Sequence, residues 1–191
     1  IRIKDSTIGM KGITLTGGGQ LVVENTTVIN NTFINFRNDY GGKWDGPIKI
    51  SNCRLIPVSN GDSQILTCLP ANFNYKYPIV FGQQVTVTDF SFDFTNATSN
   101  QSACWLVRYP NFSETNEGIR LFFPYHMEFK NVMVHGREKG IKMFSLEDIS
   151  GFKVVSRKGR LTADRVETNA TLYFENIQLE RPTAGSNGPH F

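Results

Sequence analysis

The sequence predicts an all-β chain built from stacked short strands, and three observations carry the prediction. A pattern of apolar, any, apolar, any, then Asn or Asp recurs along the chain, followed by two residues and often a further apolar one. Uncharged polar residues dominate, with 17 Asn, 16 Thr and 12 Ser beside 17 Gly, and 15 Phe is high for 191 residues. Helical periodicity is nearly absent, and 140–149 is the one stretch that reads as either helix or strand. Aromatic residues suit pleated surfaces and Asn tolerates left-handed turns, so the composition agrees with the pattern.

The copies, in order, are IRIKDSTI (1–8), LVVENTTV (21–28), IKISNCRL (48–55), VTVTDFSF (85–92), MEFKNVMV (127–134) and LYFENIQL (172–179). FSLEDISG (144–151) is a weaker copy, and LTADRVET (161–168) lacks one residue. Two apolar residues at period two make a short strand with one buried face. The phase breaks at the Asn or Asp and resumes on the same apolar face, which a continuous strand would not do. A two-residue hairpin would call for Asn-Gly or Gly-X instead. A single Asn or Asp adopts the left-handed conformation cheaply and bends the chain between two strands. Stacked copies of such a corner turn a strand solenoid.

Spacings between the bend residues run 20, 27, 37, 42, 17, 16 and 12, from Asp5 through Asn25, Asn52, Asp89, Asn131, Asp148 and Asp164 to Asn176. The long gaps, near 61–84 and 95–125, require loops or further strands. The last gap is too short for a full circuit, which places Asp164 in a hairpin. An antiparallel β-sandwich is the rival architecture. The domain is expected to span 1–180, with 181–191 an exit segment or linker, and a start on Ile1 without Met reads as a piece cut from a longer chain.

Asn25, Asn52, Asp89, Asn131 and Asn176, each between its apolar pairs, make the chain resemble the right-handed parallel β-helix, or pectate-lyase-like, superfamily. Residues 30–58 resemble it most: a strand, a long polar loop, then the next strand. The resemblance implies a solenoid with long loops. It implies binding or cleavage of polysaccharides, or the trimeric shafts of phage tailspikes and appendages.

A formal charge of +3 indicates neither a polybasic nucleic-acid binder nor an acidic solvating chain. Nothing approaches 18 consecutive apolar residues, so no membrane span is expected. Cys53, Cys68 and Cys104 fit no zinc or CxxC spacing and read as buried thiols. Six N-x-S/T triplets, at Asn25, Asn30, Asn96, Asn100, Asn111 and Asn169, are either glycan acceptors or a product of composition.

The loop FRNDYGGKWDGP (36–47) is the most informative surface segment. Tyr40 and Trp44 offer aromatic faces to sugar C–H patches, while Arg37, Asp39 and Asp45 supply charged hydrogen-bonding groups. These five are the candidate substrate-binding residues, against the alternative that Trp44 packs down onto the strands. A second aromatic group, Trp105, Tyr109, Phe123, Tyr125 and His126 around Arg108, reads more as an inward strand face than as a site. Asp39, Asp45, Glu114 and Glu117 are the loop carboxylates a glycosidase would draw on, but sequence spacing shows no pair. Residues 136–165 carry eight basic and four acidic side chains; Arg137, Lys139, Lys142, Arg157, Lys158 and Arg160 form either a face for an anionic glycan or a solvated edge. No metal or cofactor is called for, and no catalytic residue is assigned.

The expectation is therefore a receptor-binding segment of a phage tailspike, fibre or appendage. It would be homotrimeric, sit on the virion and recognise a bacterial surface glycan. Short turns and the lack of a convergent carboxylate motif lean away from catalysis. A secreted polysaccharide lyase or glycoside hydrolase, and a non-catalytic adhesin, are the alternatives.

Overall fold

The computed structural model describes residues 1–9, 11–36, 43–44, 46–59, 61–67, 79–81, 84–96, 104–108, 121–122, 126–136, 141–145, 153–157, 160–165 and 168–179. Among the described residues the chain is all strand and turn. It opens with β1 (Arg2–Lys4) and β2 (Thr7–Ile8), parted by Asp5, then β3 (Ile13–Leu15) and β4 (Gly17–Gly18). A second circuit holds β5 (Leu21–Glu24), β6 (Thr27–Ile29), β7 (Thr32–Phe36) and β8 (Lys43–Trp44). The third has β9 (Ile48–Ile56), β10 (Ser63–Thr67) and β11 (Ile79–Phe81), and the fourth β12 (Gln84–Asp93), β13 (Cys104–Arg108) and β14 (Leu121–Phe122). The fifth brings β15 (His126–His135) and β16 (Ile141–Ser145), then β17 (Lys153–Arg157) and β18 (Arg160–Arg165), and β19 (Thr168–Leu179) follows.

The first four circuits each visit the same three sheets, and the fifth visits the first two. The first sheet runs β1-β5-β9-β12-β15-β19, with β2 and β6 continuing its first two strands; the second joins β3, β7, β10, β13 and β16; the third joins β4, β8, β11 and β14. Along these paths strand order is chain order and the pairing is parallel, and the first sheet continues past β19 to β18 and then β17. Among the described residues antiparallel pairing is confined to β17–β18 and β18–β19, so their sheets are parallel rather than those of an antiparallel sandwich. Asp164 stands on β18 opposite Lys153 and Asn169, in the hairpin its short spacing called for. The long gaps hold β10 with β11 and β13 with β14, joined by segments 68–78 and 109–120. The ambiguous stretch 140–149 contributes β16, a strand. Asp148 and the tail 181–191 lie outside the described residues.

The bends fall where the repeat put them. Asp5, Asn25, Asn52, Asp89, Asn131 and Asn176 all have φ between 49° and 54°, the left-handed region that short polar side chains tolerate. On either side, alternate residues turn inward: Val23, Ile50, Val87 and Phe129 before the bend, Val28, Leu55, Phe92 and Val134 after it, each at most 1% exposed. The strands stack in register, so these side chains form columns along the stack. Phe90 reaches across the core to Phe33 with ring centroids 5.0 Å apart, edge to face.

The bend side chains bond to one another between circuits. Asn25 Nδ2 donates to Asp5 Oδ1 at 2.8 Å and Asn52 Nδ2 to Asn25 Oδ1 at 2.8 Å. Asn131 Nδ2 donates to Asp89 Oδ1 at 2.9 Å and Asn176 Nδ2 to Asn131 Oδ1 at 2.8 Å. Every donor points back to the preceding circuit. Among the described residues no hydrogen bond joins Asn52 to Asp89, although they face each other in the register.

Candidate polar face on the first sheet

Alternation that buries Met127 and Phe129 turns His126, Glu128 and Lys130 of β15 outward. The same alternation leaves Tyr173 half-buried and Glu175 exposed on β19. Parallel register sets Glu128 beside Tyr173 and Lys130 beside Glu175, with Thr86 and Thr88 of β12 on the other flank. On the antiparallel strand β18, Arg160 occupies the register position opposite Tyr173.

The four central side chains hold one another. Lys130 Nζ lies 2.8 Å from Glu128 Oε1 and 3.6 Å from Glu175 Oε2, and 5.4 Å from the centre of the Tyr173 ring. The Tyr173 hydroxyl donates to Glu175 Oε2 at 2.9 Å, and His126 Nε2 stands 3.7 Å from Glu128 Oε2. Hydrogen bonding to Lys130 holds the Glu128 carboxyl below its ordinary range, and the same bond raises Lys130. The bond to Glu175 raises the Tyr173 hydroxyl. Glu128 is therefore kept ionised, and a carboxyl in that state accepts hydrogen bonds but has no proton to give a leaving group. The face presents fixed carboxylate acceptors, an ammonium, a phenol and two threonines on a rigid sheet. That set suits the hydroxyls of a polar, uncharged ligand better than general acid catalysis.

The residues predicted as sugar contacts fare differently. Trp44 is a correction: at 1% exposure it belongs to the core, and its ring meets Phe36 edge-on at 6.1 Å between centroids. Gly18, at φ 144°, lets the chain pass under that ring; a Cβ built there would lie 3.0 Å from it. The indole is consumed by packing and offers no face to a saccharide. Arg37, Asp39, Tyr40 and Asp45 lie outside the described residues, as do Glu114 and Glu117. In the second aromatic group, Trp105 is 6% exposed and its Nε1 donates to Asp62 Oδ2 at 3.3 Å, while Arg108 Nη1 lies 3.2 Å from the same oxygen. Trp105 is buried yet stands outside the core cluster that takes Leu106 and Val107, beside Gln64 and Lys142 in the register, so it is covered without forming an inward strand face; Tyr109, Phe123 and Tyr125 are outside the described residues.

Cys53 and Cys104 are buried, as the thiol reading expected, while Cys68 is not described. Burial pushes the Cys53 thiol up, and its Sγ approaches the Ser51 carbonyl at 3.1 Å. The Asn25 triplet is occupied by the stack, since its amide nitrogen donates to Asp5. Asn96 is exposed in a turn.

Glu128, Lys130, Tyr173 and Glu175 escaped the sequence reading although the repeat contains them. MEFKN laid on LYFEN puts Glu128 over Tyr173 and Lys130 over Glu175, on the two outward steps before the bend. No helix is long and apolar enough to cross a membrane among the described residues. Comparison with family models, curated proteins and solved structures gives no match.

Proposed function

We propose that the chain is a right-handed parallel β-helix segment of a phage tailspike, fibre or appendage. In this reading it works as a homotrimer on the virion and recognises a bacterial surface glycan. Chain order repeated through three parallel sheets supports the solenoid, and parallel crossovers are right-handed in about 98% of cases. The observation that carries the binding reading is the Glu128–Lys130–Tyr173–Glu175 face. Its donors and acceptors are oriented by one another and stand on a sheet that does not have to reorganise to meet a ligand. Sugar hydroxyls pair with the carboxylates and with Thr86 and Thr88 beside them in the register.

The alternative with an observation behind it is a glycoside hydrolase, since Glu128 and Glu175 both approach Lys130 from adjacent strands. The ionised Glu128 argues against it as the acid. Binding to a panel of bacterial surface polysaccharides, with reducing-end and 235 nm assays in parallel, separates the two. The wild-type chain should bind at least one polysaccharide without turnover, and Tyr173→Phe should weaken that binding about fivefold, the loss of roughly one hydrogen bond. Turnover would move the reading to an enzyme, and a monomer mass in light scattering would count against the virion shaft.

A further inference from the structure

We propose, on the basis of the glycan reading, that the ligand of the first sheet is an acidic glycan. Its uncharged sugars lie on the Glu128–Lys130–Tyr173–Glu175 face, and an anionic substituent lies on Lys49. Alternation that buries Ile48 and Ile50 turns Lys49 of β9 outward, where it is exposed. Register carries its position across the sheet through Thr86 on β12 and Glu128 on β15 to Tyr173 on β19. Ser51 begins the neighbouring outward row, which continues through Thr88 and Lys130 to Glu175. The Lys49 ammonium and the carboxylates therefore share one polar surface, with Thr86 and Thr88 on the strand between them. Adjacent strands are about 4.8 Å apart, so Lys49 stands two strands, or roughly 10 Å, from Glu128.

Lys49 differs from the other lysines and arginines of this surface in having no acid beside it. Arg2 lies 2.8 Å from Glu24, Lys4 3.8 Å from Asp5, Arg54 3.8 Å from Asp93 and Lys130 2.8 Å from Glu128. Among the described side chains of the sheet, Lys49 alone turns a cation outward without such a partner. A ligand anion therefore meets it without first breaking an ion pair. The same surface limits what the ligand can be. A glycan charged on each sugar would bring its anions against Glu128 and Glu175, where like charges repel. A wholly neutral glycan leaves Lys49 unused. Both ends are satisfied by a chain whose anionic substituents, carboxylate or phosphate, are separated by uncharged sugars.

The test takes the polysaccharide of the bacterial panel that the full chain binds most tightly, and measures its affinity for wild type, Lys49→Gln and Lys11→Gln. Lys49→Gln should weaken binding about fivefold at low salt, the range of an exposed ion pair, and the difference should shrink toward zero at high salt. Lys11 is also exposed but lies in the turn before β3, off the first sheet. Lys11→Gln removes the same charge and should leave the affinity unchanged. The same glycan with its carboxylates reduced or its phosphates removed should bind wild type about fivefold more weakly, the range of the same pair. That loss should not add to the loss from Lys49→Gln, because both remove one interaction. A neutral polysaccharide as the tightest binder, an unchanged affinity for Lys49→Gln, an equal loss from Lys11→Gln, or additive losses overturns the assignment to Lys49, while the glycan reading still stands on Tyr173→Phe. Binding to no member of the panel overturns both.

Discussion

The same bend is held by different means in the two halves of the first sheet. In the first three circuits the residue after the bend is Ser6, Thr26 or Cys53, and each turns its polar atom back to the carbonyl two residues earlier, at 2.7, 2.8 and 3.1 Å. In the last three it is Phe90, Val132 or Ile177. A hydroxyl or thiol fixes the corner through a local bond to its own backbone. Phe90 and Val132, both buried, fix it by filling the core. The change coincides with the step from Asn52 to Asp89, where the side-chain series is interrupted. It also coincides with longer spacings, since bends are 20 and 27 residues apart in the first half but 42 and 45 in the second. Phe90 packs in the core with Phe33 at 5.0 Å and Phe92 at 5.2 Å.

The sharpest way to break this contrast is Phe90→Ala. The ring is 1% exposed and engaged on two sides, so the cavity should cost about 3–5 kcal/mol by urea unfolding. Thr26→Ala at the equivalent place in the first half removes one local hydrogen bond and should cost about 1 kcal/mol. Similar costs at the two positions would mean that the halves are not built differently.

Asn131 tests what the halves share. Val there puts a β-branched residue at φ 52° and deletes both the bond to Asp89 and the bond from Asn176, for an expected loss of about 2–3 kcal/mol. Gly keeps the conformation and loses only the bonds, so Asn131→Gly should cost roughly 1–2 kcal/mol. Equal losses for Val and Gly would show that backbone conformation contributes nothing to the choice of Asn.

The bends and the inner columns were legible because both are local. Alternation fixes the buried face, and a phase break at Asn or Asp marks the left-handed residue within eight positions. The third sheet was not legible, because β4, β8 and β14 are two residues long and two residues carry no period. Trp44 was misread for a related reason. Nothing near it in sequence says which way it faces, and its neighbours Gly18 and Phe36 come from other strands. The polar face was hidden by distance: Glu128 and Tyr173 lie a circuit apart and meet only through parallel register. Once the copies are aligned, their outward steps carry the information that local chemistry does not.

Cys53 gives the smallest effect and the most selective one. It occupies the Ser/Thr place of the first half, and burial raises its thiol above the ordinary value. The folded chain therefore favours the protonated thiol: its contribution is complete below the unfolded thiol's pKa and is lost as pH rises through the folded one. Cys53→Ser retains a donor to the Ser51 carbonyl without an alkaline titration. The variant should match wild type within about 1 kcal/mol at pH 7, a small exchange of sulfur for oxygen in a partly polar place. In alkali the wild type should lose stability relative to the variant, read from urea midpoints taken between pH 7 and pH 10.5. A pH-independent difference would mean that the thiol is not held by burial, and that its place after the bend is filled by size alone.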